Sequence, residues 1–181
     1  IQKTAEILGR LPGDETTAAI AGALPAVSPE SRAALIEVLG LRRAKDFVEA
    51  IFPYTGDDNR AVRVAAIKAL GDLADVSALP RLIQVLLKAE SSSEQAAARK
   101  AVVALCRQVP DAERQSDALL EALGKAKAAK QKAVLMKAIA QIGTQKGLEA
   151  IVAEIDEEDE AVRDGAIRAL ADWEDIRAAT D

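Results

Sequence analysis

The sequence predicts an all-α fold, a superhelical stack (an α-solenoid) of about five to six two-helix units. Three observations predict it. A short apolar motif recurs along the whole chain at a mean spacing of about 32 residues. Small polar residues suited to helix N-caps stand at matching distances before several copies. No segment alternates apolar and polar residues between hairpin turns, as strands would.

Composition agrees. The 181 residues are 50% hydrophobic and 29% charged, enough apolar matter for a folded core. Only 2% are aromatic, namely Phe47, Phe52, Tyr54 and Trp173. The core is therefore built from Ala, Leu, Ile and Val, and Ala and Leu are strong helix formers. Ten glycines and six prolines spread along the chain fit many short elements with frequent breaks.

The motif reads TAEILG (Thr4–Gly9), LIEVLG (Leu35–Gly40), AIKALG (Ala66–Gly71), AVVALC (Ala101–Cys106), AIAQIG (Ala138–Gly143) and AIRALA (Ala166–Ala171). Its final positions lie 31, 31, 35, 37 and 28 residues apart. Leu8, Leu39, Leu70, Leu105, Ile142 and Leu170 precede the final position. Three residues earlier stand Ala5, Ile36, Ile67, Val102, Ile139 and Ile167. Apolar side chains at i and i+3 share one helix face, so each motif ends an amphipathic helix with its stripe turned inward.

Ser28, Asn59 and Asp159 align as N-caps, and Pro29 takes the first helical position, where its missing N–H costs little. Arg32, Arg63 and Arg163 follow their caps by four residues. In the fifth unit Gln131 stands where a cap is expected, and the two long spacings imply longer loops in the middle.

A second, shorter apolar helix follows each motif. The successive helices carry Ala18, Ile20 and Leu24; Phe47, Val48, Ile51 and Phe52; Leu79, Leu82, Ile83 and Leu86; Leu119, Leu120 and Leu123; and Leu148, Ile151, Val152 and Ile155. Pro80 falls in a first turn, where proline is tolerated. One such hairpin cannot bury its apolar face alone, so neighbours must stack.

The segments DNRAVRVAAIKALGDLADVSALPRLIQVLL (Asp58–Leu87) and EDEAVRDGAIRALADW (Glu158–Trp173) resemble short bacterial HEAT-like repeats of the phycobilisome-lyase type, an armadillo-like α-solenoid family. The polar cap, Val62–Arg63, Val162–Arg163, the AIxAL core and Leu79–Pro80 carry the likeness. It implies a right-handed superhelix of five to six repeats. It also implies that the arginine column, Arg63, Arg163 and Arg32, ties neighbouring repeats through polar contacts. The Trp/Tyr and T-P-L-H signatures of tetratricopeptide and ankyrin repeats are absent, and the period leaves no room for a third armadillo helix. The first motif begins at the chain start and the last unit stops soon after Trp173. Residues 1–181 are thus expected to be a single array belonging to a longer multidomain protein. Related arrays occur beside carbohydrate-acting domains, which makes a regulatory or spacer module one alternative.

Chemistry has little material. There is no histidine, so no Ser–His or Cys–His pair and no His-based metal site. Cys106, the lone cysteine, reads as a small packed residue. The run Asp156–Glu160 lacks the spacing and glycine of a calcium loop and reads as a solvated turn before a helix N-terminus. Lys125, Lys127, Lys130, Lys132 and Lys137 do not form one stripe, and no aromatic lies among them. With a net charge of −5, this argues against nucleic acid, the second alternative. A pigment lyase, a third, lacks the expected His, Cys and aromatic residues. The longest uncharged run, between Glu15 and Glu30, falls short of the ~20 residues of a membrane span. No cofactor and no metal is indicated.

What remains is a non-catalytic scaffold that binds another protein or neighbouring domains of its own chain. The resemblance places second helices on the binding face. If Leu79, Leu82, Ile83 and Leu86 face the core, Arg81, Gln84 and Lys88 project outward as candidate contacts. Tyr54, in the only aromatic cluster, is a candidate anchor, with packing on the next repeat as its competing reading.

Overall fold

The computed structural model describes residues 13–178, with side chains described through Trp173; the first motif, Thr4–Gly9, lies outside the described residues. Among the described residues ten α-helices follow one another: α1 (Asp14–Ala23), α2 (Pro29–Leu41), α3 (Val48–Ile51), α4 (Arg60–Leu73), α5 (Leu79–Lys88), α6 (Ser92–Cys106), α7 (Asp117–Lys125), α8 (Ala129–Ile142), α9 (Gln145–Ala153) and α10 (Glu160–Ala178). Short 3-10 turns join several of them, and no strand occurs among the described residues. The architecture is the expected all-α solenoid of two-helix repeats.

The first helices of the repeats, α2, α4, α6, α8 and α10, start at caps that set their register. The Ser28 hydroxyl accepts from the Ser31 N–H, and the Asn59 side-chain Oδ1 accepts from the Ala61 and Val62 N–H groups. Ser91 Oγ accepts from Glu94, and an Asp159 carboxylate oxygen accepts from Ala161. Ala128 holds the same place before α8 but makes no side-chain cap bond. Caps at 28, 59, 91, 128 and 159 lie 31, 32, 37 and 31 residues apart.

This register corrects the sequence alignment in the middle of the chain. Gly40 and Gly71 stand twelve residues after their caps, whereas Cys106 and Gly143 stand fifteen after theirs. The residues equivalent to Gly71 in α6 and α8 are Val103 and Ala140. Gly143 instead ends α8 in the left-handed conformation, φ 83°, which glycine adopts without strain. Gln131 lies inside α8 and is not a cap. Only one spacing is long, and its extra residues sit in the α6–α7 connection, 107–116.

Two compact units make up the chain: residues 1–75 with 89–101, and residues 76–88 with 102–181. In the first unit the core comprises Ile20, Leu24, Ile36, Leu39, Ile51, Phe52, Ile67 and Leu70. Arg42 fastens the end of α2 to the start of α1, donating to Thr17 Oγ1 (2.8 Å) and to the Gly13 carbonyl (2.7 Å). The second unit is built on Leu82, Leu86, Leu105, Leu119, Leu135, Met136, Ile139 and Ile151, with Trp173 packed at its edge. A buried hydroxyl pair, Ser116 and Thr144 at 2.5 Å, lies inside it, and Thr144 also caps α9 through the Gly147 N–H.

The inward stripe holds with three exceptions. Ala18 is exposed, as is Val152. Ile167 is 55% exposed where its counterparts Ile36 and Ile67 are fully buried. α10 runs past its motif to Ala178.

Candidate functional site

On α5, Leu79, Leu82, Ile83 and Leu86 are buried. Arg81, Gln84 and Lys88 lie on the opposite, exposed side, which follows from the 100° advance per residue. Tyr54 is half-buried in the first unit, with the Arg32 guanidinium 5.5 Å above its ring centroid, a cation–π distance. The α5 residues belong to the second unit and Tyr54 to the first.

The densest polar chemistry lies where successive first helices meet. The fourth position after the cap holds Arg32, Arg63, Gln95, Lys132 and Arg163. Each side chain reaches either its own inter-helix linker or an acid of the following repeat. Arg32 donates to the Leu24 and Val27 carbonyls and pairs with Asp57 at 2.9 Å. Arg63 donates to the Asp57 and Asp58 carbonyls and pairs with Glu94 at 2.7 Å. Lys132 pairs with Glu154 at 2.7 Å and Glu157 at 3.4 Å. Gln95 donates to the Ala89 carbonyl. Arg163 donates to the Glu157 and Glu158 carbonyls of its own linker. Arg32 and Arg63 therefore tie neighbouring repeats. The bonds of Arg163 among the described residues stay within its own repeat.

Glu94 is the most enclosed charged side chain described, only 3% exposed. Burial opposes its ionisation, but the Arg63 guanidinium and the Glu90 and Ser91 N–H groups outweigh burial and hold its pKa below the ordinary carboxylate value. It is also the reciprocal half of a capping box, S-x-x-E from Ser91 to Glu94. The Lys132 ammonium is shifted up, mainly by its hydrogen bond to Glu154.

Sequence reasoning missed Glu94 and Lys132. The signal for Glu94 was its capping box. Lys132 was hidden by aligning on glycines instead of caps, which put it beside a false cap at Gln131.

Cys106 is fully buried, and burial pushes its thiol pKa up to about 12, so it stays a protonated, poor nucleophile at neutral pH. In the acidic run, Glu157 pairs with Lys132, and Asp159 caps α10. Among the described residues no group of three or more His, Cys, Asp or Glu is arranged to hold a metal ion. No described helix is long and apolar enough to cross a membrane. A groove of about 510 Å³ runs between α2 and α4. Its floor is Gly40, Ala65 and Ala69, and its rim carries two acids, Glu37 and Asp72, and two bases, Arg43 and Lys68, so it favours neither sign of charge.

The family of HEAT repeats matches residues 16–103, a little under half of the chain and the stretch where the caps, the cation column and the Gly–Ala contacts are most regular. Over those residues the chain is a HEAT-repeat array. No curated protein matches the sequence. Among solved structures, an engineered protein shares 16% identity, with 96% of this chain and 88% of that chain covered and a TM-score of 0.51. At that identity the likeness concerns the fold alone, an all-α helical repeat. Human deoxyhypusine hydroxylase in complex with glycerol shares 17% identity, covering 96% of this chain and 79% of that one, at a TM-score of 0.36. The complex of CpcE and CpcF of phycocyanin lyase from Nostoc sp. PCC7120 shares 17%, covering 97% and 88%, at 0.43.

Proposed function

We propose that this HEAT-repeat array is a non-catalytic scaffold that binds another protein, or neighbouring domains of its own polypeptide, through the polar side of α5. Arg81, Gln84 and Lys88 are the contacts, and Tyr54 is a separate candidate in the other unit. In this reading residues 1–181 act as one array within a longer multidomain protein. The observation that carries it is the two-sided character of α5. Leu79, Leu82, Ile83 and Leu86 are buried, and the opposite side presents two cations and an amide on an otherwise acidic protein. Extended helical-repeat surfaces bind by such rows of side chains. The absence of histidine and the protonated state of Cys106 support a non-catalytic role.

The test is affinity capture from the native organism's lysate. Arg81→Glu/Lys88→Glu serves as the paired bait, and circular dichroism confirms that both baits melt alike. A protein captured by the parent and lost with the double variant supports the reading. Capture of the same proteins by both baits, or of nucleic acid alone, removes α5 as the binding face and leaves a spacer between domains.

A further inference from the structure

Three positions per first helix, four, eight and twelve residues after the cap, form one face. They read Arg32–Ile36–Gly40 on α2, Arg63–Ile67–Gly71 on α4, Lys132–Met136–Ala140 on α8 and Arg163–Ile167–Ala171 on α10. A step of four residues keeps side chains on one side of a helix, so each trio is a stripe with a cation, a large apolar residue and a small one. On α6 the trio is broken, with Gln95, Arg99 and Val103.

On α2, α4 and α8 this face is covered by the next first helix. A side chain at Gly40 would meet Ala69 of α4, and one at Gly71 would meet Ala101 of α6. Both alanines stand ten residues after their own caps. Gly165 of α10 packs against Ala133 and Met136 of α8. The central residues Ile36, Ile67 and Met136 are fully buried, and the three cations each hold a carboxylate from the following repeat. On α10 the same trio is open. Ile167 is 55% exposed, Ala171 is exposed, and Arg163 bonds only to its own linker among the described residues.

We propose that Arg163, Ile167 and Ala171 form a docking face whose occupant is the first helix of a further repeat of this same kind. The occupant's chemistry follows from the three covered copies. It presents an alanine ten residues after its cap to sit against Ala171, and a carboxylate in or just after its linker to pair with Arg163. This surface is separate from the α5 face, so the proposal stands or falls independently of the one above.

The test adds such a repeat to the intact chain. A second copy of residues 143–173, one 31-residue period, is inserted directly after Trp173, and residues 174–181 follow it. Denaturant unfolding is followed by circular dichroism, and amide hydrogen exchange is followed across the added copy. The expected result is one cooperative transition with a higher midpoint and steeper slope, because more surface is buried. Ile167→Asp in the first copy then lowers the folded-to-unfolded ratio at least about tenfold in the extended chain and less than about twofold in the present one, the signature of a new contact. A separate, earlier transition for the added copy, failure of the extended chain to fold, or equal effects of Ile167→Asp in both chains overturns the proposal. So does concentration-dependent self-association of the present chain that Ile167→Asp abolishes, which assigns the face to a second copy.

Discussion

The α4–α6 junction of the first unit and the α8–α10 junction of the second solve one packing problem in two ways. In the first, the earlier helix gives way. Gly71 lies so close to Ala101 that an added Cβ would fall 2.8 Å from its Cβ and 3.0 Å from its Cα. In the second, the glycine has moved to the later helix. Ala140 stands where Gly71 would, and Gly165 of α10 makes room for Ala133 and for the long Met136 side chain that replaces Ile67. The cation moves similarly, from an arginine on one enclosed acid to a lysine shared between two. Close approach of helices is therefore a property of the pair, and a single glycine column understates it.

The largest expected difference between the junctions lies in their ion pairs. Arg63→Ala strands Glu94, a buried carboxylate, and is expected to destabilise by about 3 kcal/mol, as for other broken buried pairs. Lys132→Ala leaves Glu154 and Glu157 nearer to solvent and is expected to cost about 1.5 kcal/mol. Chemical denaturation measures both, and equal costs would erase the distinction. The pH dependence separates them further. The native pKa of Glu94 is lowered, so its contribution is present above the ordinary value of 4.5 and is lost as pH falls through the depressed native value. The native pKa of Lys132 is raised, so its contribution is present below 10.5 and is lost as pH rises through the raised native value. Glu94→Gln should thus flatten the acid limb of the stability profile, and Lys132→Met the alkaline limb.

The glycines give the next effect. Gly71→Ala forces backbone apart from backbone and is expected to cost about 2 kcal/mol, within the range for overpacked cores. Gly165→Ala is expected to cost about 1 kcal/mol, because Met136 Cε, one of the crowded atoms, ends a flexible side chain. Gly40→Ala, with its nearest neighbour 3.6 Å away, is expected to be neutral or to stabilise by up to about 1 kcal/mol through helix propensity. Thermal unfolding of the three variants orders them. A Gly71→Ala protein as stable as Gly40→Ala would refute the close approach.

Most of the fold was legible in the sequence because helix periodicity and capping are local. The stripe Ile36–Leu39, Ile67–Leu70 and the caps Ser28, Asn59 and Asp159 stand where the pattern put them. What misled was the choice of anchor. Among the described residues glycine ends two motifs for packing and a third, at Gly143, for its left-handed backbone, and sequence records the residue without the reason. Aligned on glycine, α6 and α8 slipped by three residues. Cys106 then stood in the column that belongs to Val103, although its reading as a packed residue holds, and Lys132 dropped out of the cation column. The exposure of Ile167 was illegible for another reason: burial depends on what a face meets, and the stripe on α10 is spelled like those that meet a neighbour. The outward placement of Arg81, Gln84 and Lys88 followed from helix geometry, but helix geometry carries no information about a partner.

The smallest expected effect is a gain. Four first helices begin on a side-chain cap, and α8 begins on Ala128, whose backbone (φ −90°, ψ 133°) already has the extended form that a capping residue adopts. Ala128→Asp places a carboxylate oxygen where the N–H groups of the first turn of α8 lack a side-chain acceptor, close to the positive end of the helix and beside Lys127 and Lys130. The expected stabilisation is about 1 kcal/mol, the usual difference between a capping residue and alanine. Asn59→Ala, removing a formed cap from α4, should lose a similar amount. The two changes measured by denaturation in the same buffer bracket what one cap contributes at each end of the comparison. If Ala128→Asp gives no gain while Asn59→Ala still costs, the start of α8 is already satisfied by solvent, and its missing cap is a neutral difference between the units.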